Sequence, residues 1–121
     1  MTAERRRRAF LAGRRAETLA LWFLRCKGYR LVQRGYKTPM GEIDLIVKRG
    51  RTLVFVEVKR RDDLAMAVLA VTPQQRRRIA AAAESFLGRM SDRQRFDVRF
   101  DIVAVGAGMP KHIQDAWRPG F

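Results

Sequence analysis

Cysteine and histidine are almost missing from this sequence: Cys26 and His112 are the single example of each among 121 residues. One cysteine excludes an internal disulfide, and one of each excludes a zinc site of the usual spacing. A reducing cytoplasm is the compartment this fits. No apolar run approaches the ~20 residues that span a bilayer. Acidic residues are scarce as well, twelve against twenty-six Lys and Arg, which leaves a formal charge of +14. An excess of that size repels itself unless a polyanion is near, so the expected partner is nucleic acid or an anionic membrane surface. Arginine supplies most of the charge, and arginine grips phosphate in a bidentate fork.

The length fits one domain, 1–121, with residues 1–12 as a basic N-terminal arm. That arm carries Arg5 to Arg8, ahead of Arg14 and Arg15. It lacks the serines of a transit peptide and contains Glu4, with Glu17 following, so it reads as part of the domain. From Ala3 to Lys27 apolar residues recur at helical spacing, among them Ala16, Leu19, Ala20, Phe23 and Leu24, and Gly28 is a natural stop. Gly13 weakens the middle, so the basic tip is expected as a separate or frayed turn. Tyr29 to Lys37 alternates like a strand. Pro39 and Gly41 mark a turn.

Glu42 to Arg49 and Thr52 to Arg60 form the most legible region, two β-branched, apolar runs around Gly50-Arg51. Glycine first in a two-residue loop is the signature of a type II′ hairpin. Asp62 to Val71 reads as a loop. Thr72, Pro73 and Gln75 open a second helix, with the spacing of a capping box, and Gly88 ends it. Phe96 to Val105 is a further strand. Beyond Gly106 only the short apolar piece from His112 to Trp117 stands out, with no element assigned. Helix, three strands, helix, strand is an α/β order, with helices covering a mixed sheet.

Strand alternation puts Glu42, Asp44 and Ile46 on one face of the first hairpin strand. Phe55, Glu57 and Lys59 share a face of the second. If Gly50-Arg51 is the turn, Asp44 falls opposite Glu57; if Arg49-Gly50 is, the two are diagonal and still share a face. Opposed carboxylates ~5 Å apart repel and add nothing to stability. A divalent cation removes the repulsion, and magnesium takes carboxylates, waters and phosphate oxygens as ligands. Lys59 projects the same way and suits developing phosphate charge or the orientation of a water. The plainer reading is a solvated ion pair of Glu57 and Lys59 with Asp44 beside it. Glu17 borders the apolar stripe of the first helix, either as a carboxylate reaching toward the same metal or as a partner for Arg14 or Arg15.

Gly41-Glu42-Ile43-Asp44-Leu45-Ile46, then Val54-Phe55-Val56-Glu57-Val58-Lys59 after a short hairpin, resembles the YraN family of small bacterial proteins. Gly13, Ala16-Glu17, Gly28-Tyr29 and the run from Arg99 to Val105 match the same pattern. That family is similar to the PD-(D/E)XK nuclease superfamily, archaeal Holliday junction resolvases in particular. The resemblance implies a restriction-endonuclease-like three-layer sandwich, a mixed central β-sheet flanked by helices. It implies a metal-dependent endonuclease acting on DNA, branched or structured DNA included, with magnesium or manganese at Asp44 and Glu57. Lys59 would be the catalytic lysine, Glu17 the helix carboxylate and Gln75 a further site member. Ile43 stands where the superfamily's name has proline. A resolvase cuts two strands symmetrically, which implies a homodimer.

Arg14, Arg15, Arg60, Arg61, Arg76 and Arg77 are the cations expected on nucleic-acid phosphates. Arg76 and Arg77 stand in a helix first turn, where positive charge opposes the dipole. The alternative function is a non-catalytic nucleic-acid binding module on the same fold, its affinity supplied by charge. Trp22, Phe23, Trp117 and Cys26 are expected in packing roles, Asp62-Asp63 in a solvated loop and Asp101 in a structural place. His112 has no evident partner.

Overall fold

The structure is a computed structural model, and it describes residues 2–119. Met1 of the expected arm lies outside the described residues. Helix α1 spans Ala3–Cys26 and is followed by strands β1 (Arg30–Thr38), β2 (Gly41–Arg49) and β3 (Thr52–Lys59). Helices α2 (Leu64–Ala70) and α3 (Pro73–Gly88) then lead through a single turn at Arg93–Arg95 to β4 (Asp97–Ala104) and β5 (Lys111–Trp117). The strands form one five-stranded sheet in the order β1-β2-β3-β4-β5. Only β3 and β4 run parallel, joined by the crossover through α2 and α3.

Both sheet faces are covered. Ala16, Ala20, Leu21 and Leu24 of α1 pack on Leu45, Val47, Val54, Val56 and Val103. On the other face Ala67 and Val71 join Ile79, Ala82, Ala83 and Leu87 of α3 over Ile46, Leu53, Phe55, Phe100 and Ile102. This is the restriction-endonuclease-like three-layer sandwich, helix layer on mixed sheet on helix layer.

Several expectations change. The helix runs through Gly13 without a break, from the Thr2 cap, whose hydroxyl accepts from the Arg5 N–H. Leu64–Ala70 is a helix where a loop was expected, capped by the Asp63 side chain. Its sequence, Leu-Ala-Met-Ala-Val-Leu-Ala, has no polar face, so periodicity could not reveal it. The C-terminal apolar piece is the edge strand β5, with a bulge at Asp115, φ +55. Trp22 and Cys26 are exposed rather than packed, while Trp117 is buried.

The hairpin turn is Gly50-Arg51, since Arg49 pairs with Thr52, and the left-handed φ falls on Gly50 alone of the two. Strict alternation, however, fails in β2. Leu45 and Val47 face α1, whereas Ile43 packs with Ile46 on the α3 side. The neighbouring strand makes the same change. Arg34, the partner of Leu45, reaches Glu17 of α1, while Tyr36, the partner of Ile43, bonds Ser85 of α3. Gly35, φ +69, lies between them. A left-handed residue wrinkles a strand and lets the following side chains exchange faces. Asp44 occupies the corresponding place in β2. The hairpin's far end approaches α3 so closely that a Cβ on Gly41 would stand 2.2 Å from the Arg78 carbonyl oxygen. Glycine there is a condition of the packing.

Candidate functional site

The β2-β3 ladder ends at Leu45 and Val56, the last paired residues before the strands part. The next residue on each strand is acidic, Asp44 and Glu57. Where the strands part, the Val58 N–H donates to the Asp44 carboxylate at 2.8 Å. Asp44 is half-buried and Glu57 is 6% exposed. Each carboxyl lies in the other's field, and burial of the two together favours keeping a proton on Glu57.

Burial pushes the Glu57 carboxyl up to about 9; the Asp44 charge adds to this and Lys59 opposes it. Asp44 is also raised, by burial first, against the Val58 N–H and Lys59. Both shifts favour the protonated form, most strongly at Glu57. Isolated from metal and proton, two such carboxylates would be a large burden in a dry pocket.

Three further side chains converge here. Lys59 Nζ stands 3.5 Å from Glu57 Oε1. Gln75 donates from Nε2 to the same oxygen at 3.2 Å. The Thr72 hydroxyl accepts the Gln75 backbone N–H at 3.1 Å, so half of the capping box forms and the Gln75 side chain is turned into the site instead. Glu17 approaches from α1. Burial raises its pKa, then the charge of Asp44, and Arg34 pulls it down. Its ion pair is with Arg34, 3.4 Å away, and not with Arg14 or Arg15. The exchange of faces at Gly35 and Asp44 is what lets helix carboxylates and amides from opposite layers approach one point.

Sequence reasoning missed Arg34. It donates to the Arg14 carbonyl at 2.8 Å and to Thr18 at 2.9 Å besides Glu17. Nothing local marks it; its role depends on β1 crossing under α1.

The expected phosphate cations do not form one group. Arg14 and Lys37 border a cleft that contains Glu17 and Asp44. Arg15, Arg60 and Arg61 line a separate groove on the other flank of α1. Arg77 is exposed at the start of α3. Arg76 is half-buried and donates to the Val71 carbonyl at 3.1 Å, with its guanidinium over the Trp117 ring. It is committed to the protein.

A second buried acid serves the fold. Asp101 is fully buried and takes both prongs of Arg99 at 2.8 and 2.9 Å and the Asp115 N–H at 3.0 Å. His112, expected to stand alone, lies 2.7 Å from it through Nε2, while Nδ1 is 2.7 Å from Lys27 Nζ. An ammonium only donates, so Nδ1 accepts and the ring proton points at Asp101.

Fold and site together define a class: a restriction-endonuclease-like sandwich with one buried and one half-buried carboxylate and a lysine where two central strands diverge. Within that class the chain belongs to the family described as Uncharacterised protein family UPF0102, which matches residues 16–105 and is the YraN family. A UPF0102 protein of Parvibaculum lavamentivorans is 52% identical over 112 residues, covering 92% of this chain and 84% of the relative. One from Brucella canis is 50% identical over 111 residues, 91% of this chain and 88% of the relative. One from Bartonella quintana is 46% identical over 114 residues, 93% of each. Among the described residues no helix is long and apolar enough to cross a membrane.

Proposed function

We propose that the chain is a metal-dependent phosphodiesterase acting on DNA in the cytoplasm, as a homodimer on branched or structured substrates. The observation that carries this is the meeting of Asp44 and Glu57 where β2 and β3 part, with Lys59 3.5 Å from the Glu57 carboxylate. A divalent cation and a proton answer the same electrostatic need, so the donor set fits magnesium or manganese. Asp44 and Glu57 would hold the ion, and when bound it supplies Lewis-acid stabilisation of phosphate charge and lowers the pKa of a water. Lys59 places an ammonium beside Glu57, suited to developing negative charge on a phosphate oxygen. Gln75 fixes the Glu57 rotamer. Glu17, held by Arg34, is suited to accept a hydrogen bond from a water. The excess of arginine draws the polyanion in.

One observation favours the rival, a binding module without chemistry. Glu17 is engaged by Arg34, and among the described residues no three acidic, His or Cys side chains are grouped to hold a metal.

The deciding experiment offers labelled four-way-junction, flap, single-stranded and duplex DNA to the protein and to Glu57→Gln, with magnesium or manganese. Cutting by the wild type alone is expected. Salt-sensitive binding by both proteins with cutting by neither selects the binding module.

A further inference from the structure

The N-terminal part of α1 reaches beyond the sheet. Every residue from Thr2 to Leu11 is exposed, and Ala16 is the first α1 residue to be buried. The segment 3–11 is about 14 Å of helix whose residues all stay exposed. Burial does not explain its sequence, so its side chains are free to serve another purpose.

Phe10 is 65% exposed on this overhang, and among the described residues no ring or cation stacks on it. It stands at the mouth of the cleft that holds Glu17 and Asp44, a space of about 280 Å³. Phe10, Gly13, Arg14 and Glu17 follow the i, i+3, i+4, i+7 spacing of one helix face, and all four line that cleft. Gly13 is the telling member. A Cβ there would meet nothing within 4 Å, so no close packing demands glycine. Glycine inside a helix lowers its stability. What it leaves is a notch between an aromatic ring and a carboxylate. Arg14 and Lys37, both exposed, stand on the two walls.

We propose that Phe10 is a stacking platform for an unpaired nucleobase, with the Gly13 notch seating the strand that runs from it toward Asp44. The proposal rests on the nucleic-acid reading above and narrows it to single strands or frayed ends at this cleft. Stacking on an exposed aromatic is tolerant of sequence and needs a base outside a duplex. The surrounding Arg5 to Arg8, Arg14 and Lys37 suit a polyanion and oppose a second copy of this basic chain.

The test is fluorescence anisotropy with the full chain in EDTA, so that cutting plays no part. The probes are labelled oligothymidine of roughly 15 nucleotides, within the span of single-strand binding sites, and a duplex of equal length. Phe10→Ala is expected to weaken oligothymidine binding about tenfold or more, the value of one lost stack, and duplex binding less than about threefold. Phe10→Tyr restores the affinity. Gly13→Leu weakens oligothymidine binding while its Tm is no lower than the wild type's, which a merely structural glycine would not show. Equal losses on both probes, or no loss, overturn the proposal. So does a change in sedimentation mass with Phe10→Ala, which would make Phe10 a contact between copies. Failure of magnesium-dependent cutting sinks the enzymatic reading and leaves this one standing.

Discussion

Val58 donates its backbone N–H to the Asp44 carboxylate at 2.8 Å, at the point where β2 and β3 cease to pair. One side chain thus replaces a rung of the ladder and lines the site. The two duties separate by substitution. Asp44→Asn keeps an acceptor for Val58 and loses the charge. Asp44→Ala orphans the N–H, which costs about 1–3 kcal/mol. Denaturant unfolding should find the alanine variant less stable than the asparagine variant by that amount. Both should lose any thermal shift caused by magnesium.

The Glu57 carboxyl moves from an ordinary 4.5 to about 9 on folding. Over that interval the folded chain binds the extra proton, so stability falls as pH rises through it. The contribution is complete below the lower value and lost above the upper one. Asp44, also raised, acts in the same direction. Glu57→Gln removes the liability. Its Tm should exceed the wild type's by about 4 °C or more at alkaline pH, the effect of ~1 kcal/mol in a domain of this size. The two curves should converge under acid conditions. Parallel curves across the range would place the proton elsewhere.

Lys59 has a different profile, because it opposes the carboxyl shifts and carries no core packing. Lys59→Met is expected to keep the fold and the magnesium thermal shift. Cleavage should fall about 10²–10³-fold, the usual loss when one donor to developing charge is removed. Full activity in that variant would remove the lysine from the chemistry.

Asp101 is the contrasting acid. Burial pushes its carboxyl up, but hydrogen bonds from His112, Arg99 and Asp115 together hold it below its ordinary range. Its stabilisation is therefore present above the ordinary carboxylate pKa and lost as acid carries the pH below it. Asp101→Ala should destabilise by about 3–5 kcal/mol, as breaking a buried pair does. Where the variant is folded, its DNA affinity should match the wild type's. A selective loss of DNA binding would move Asp101 into the functional surface.

Much of this was legible in the chain. The hairpin declared itself through Gly50-Arg51 between two β-branched runs, and that turn set Leu45 against Val56, one residue short of Asp44 and Glu57. Thr72-Pro73 announced α3. The helix α2 and strand β5 were hidden for opposite reasons: one is apolar on every side, and the other is an edge strand broken by a bulge at Asp115.

The sequence by itself determined the charge, the main elements, the family and the nearness of two acids along one hairpin, because these depend on local spacing and turn chemistry. Tertiary structure alone decided what those acids experience. Glu57 is perturbed because α3 and the sheet remove water from it, and Gln75 bonds it because Thr72 starts the helix at that height. Glu17 meets Arg34 and approaches Asp44 because Gly35 allows β1 and β2 to exchange faces. Burial, the field of one carboxyl on another and the meeting of opposite layers are long-range properties, and no spacing along the chain encodes them.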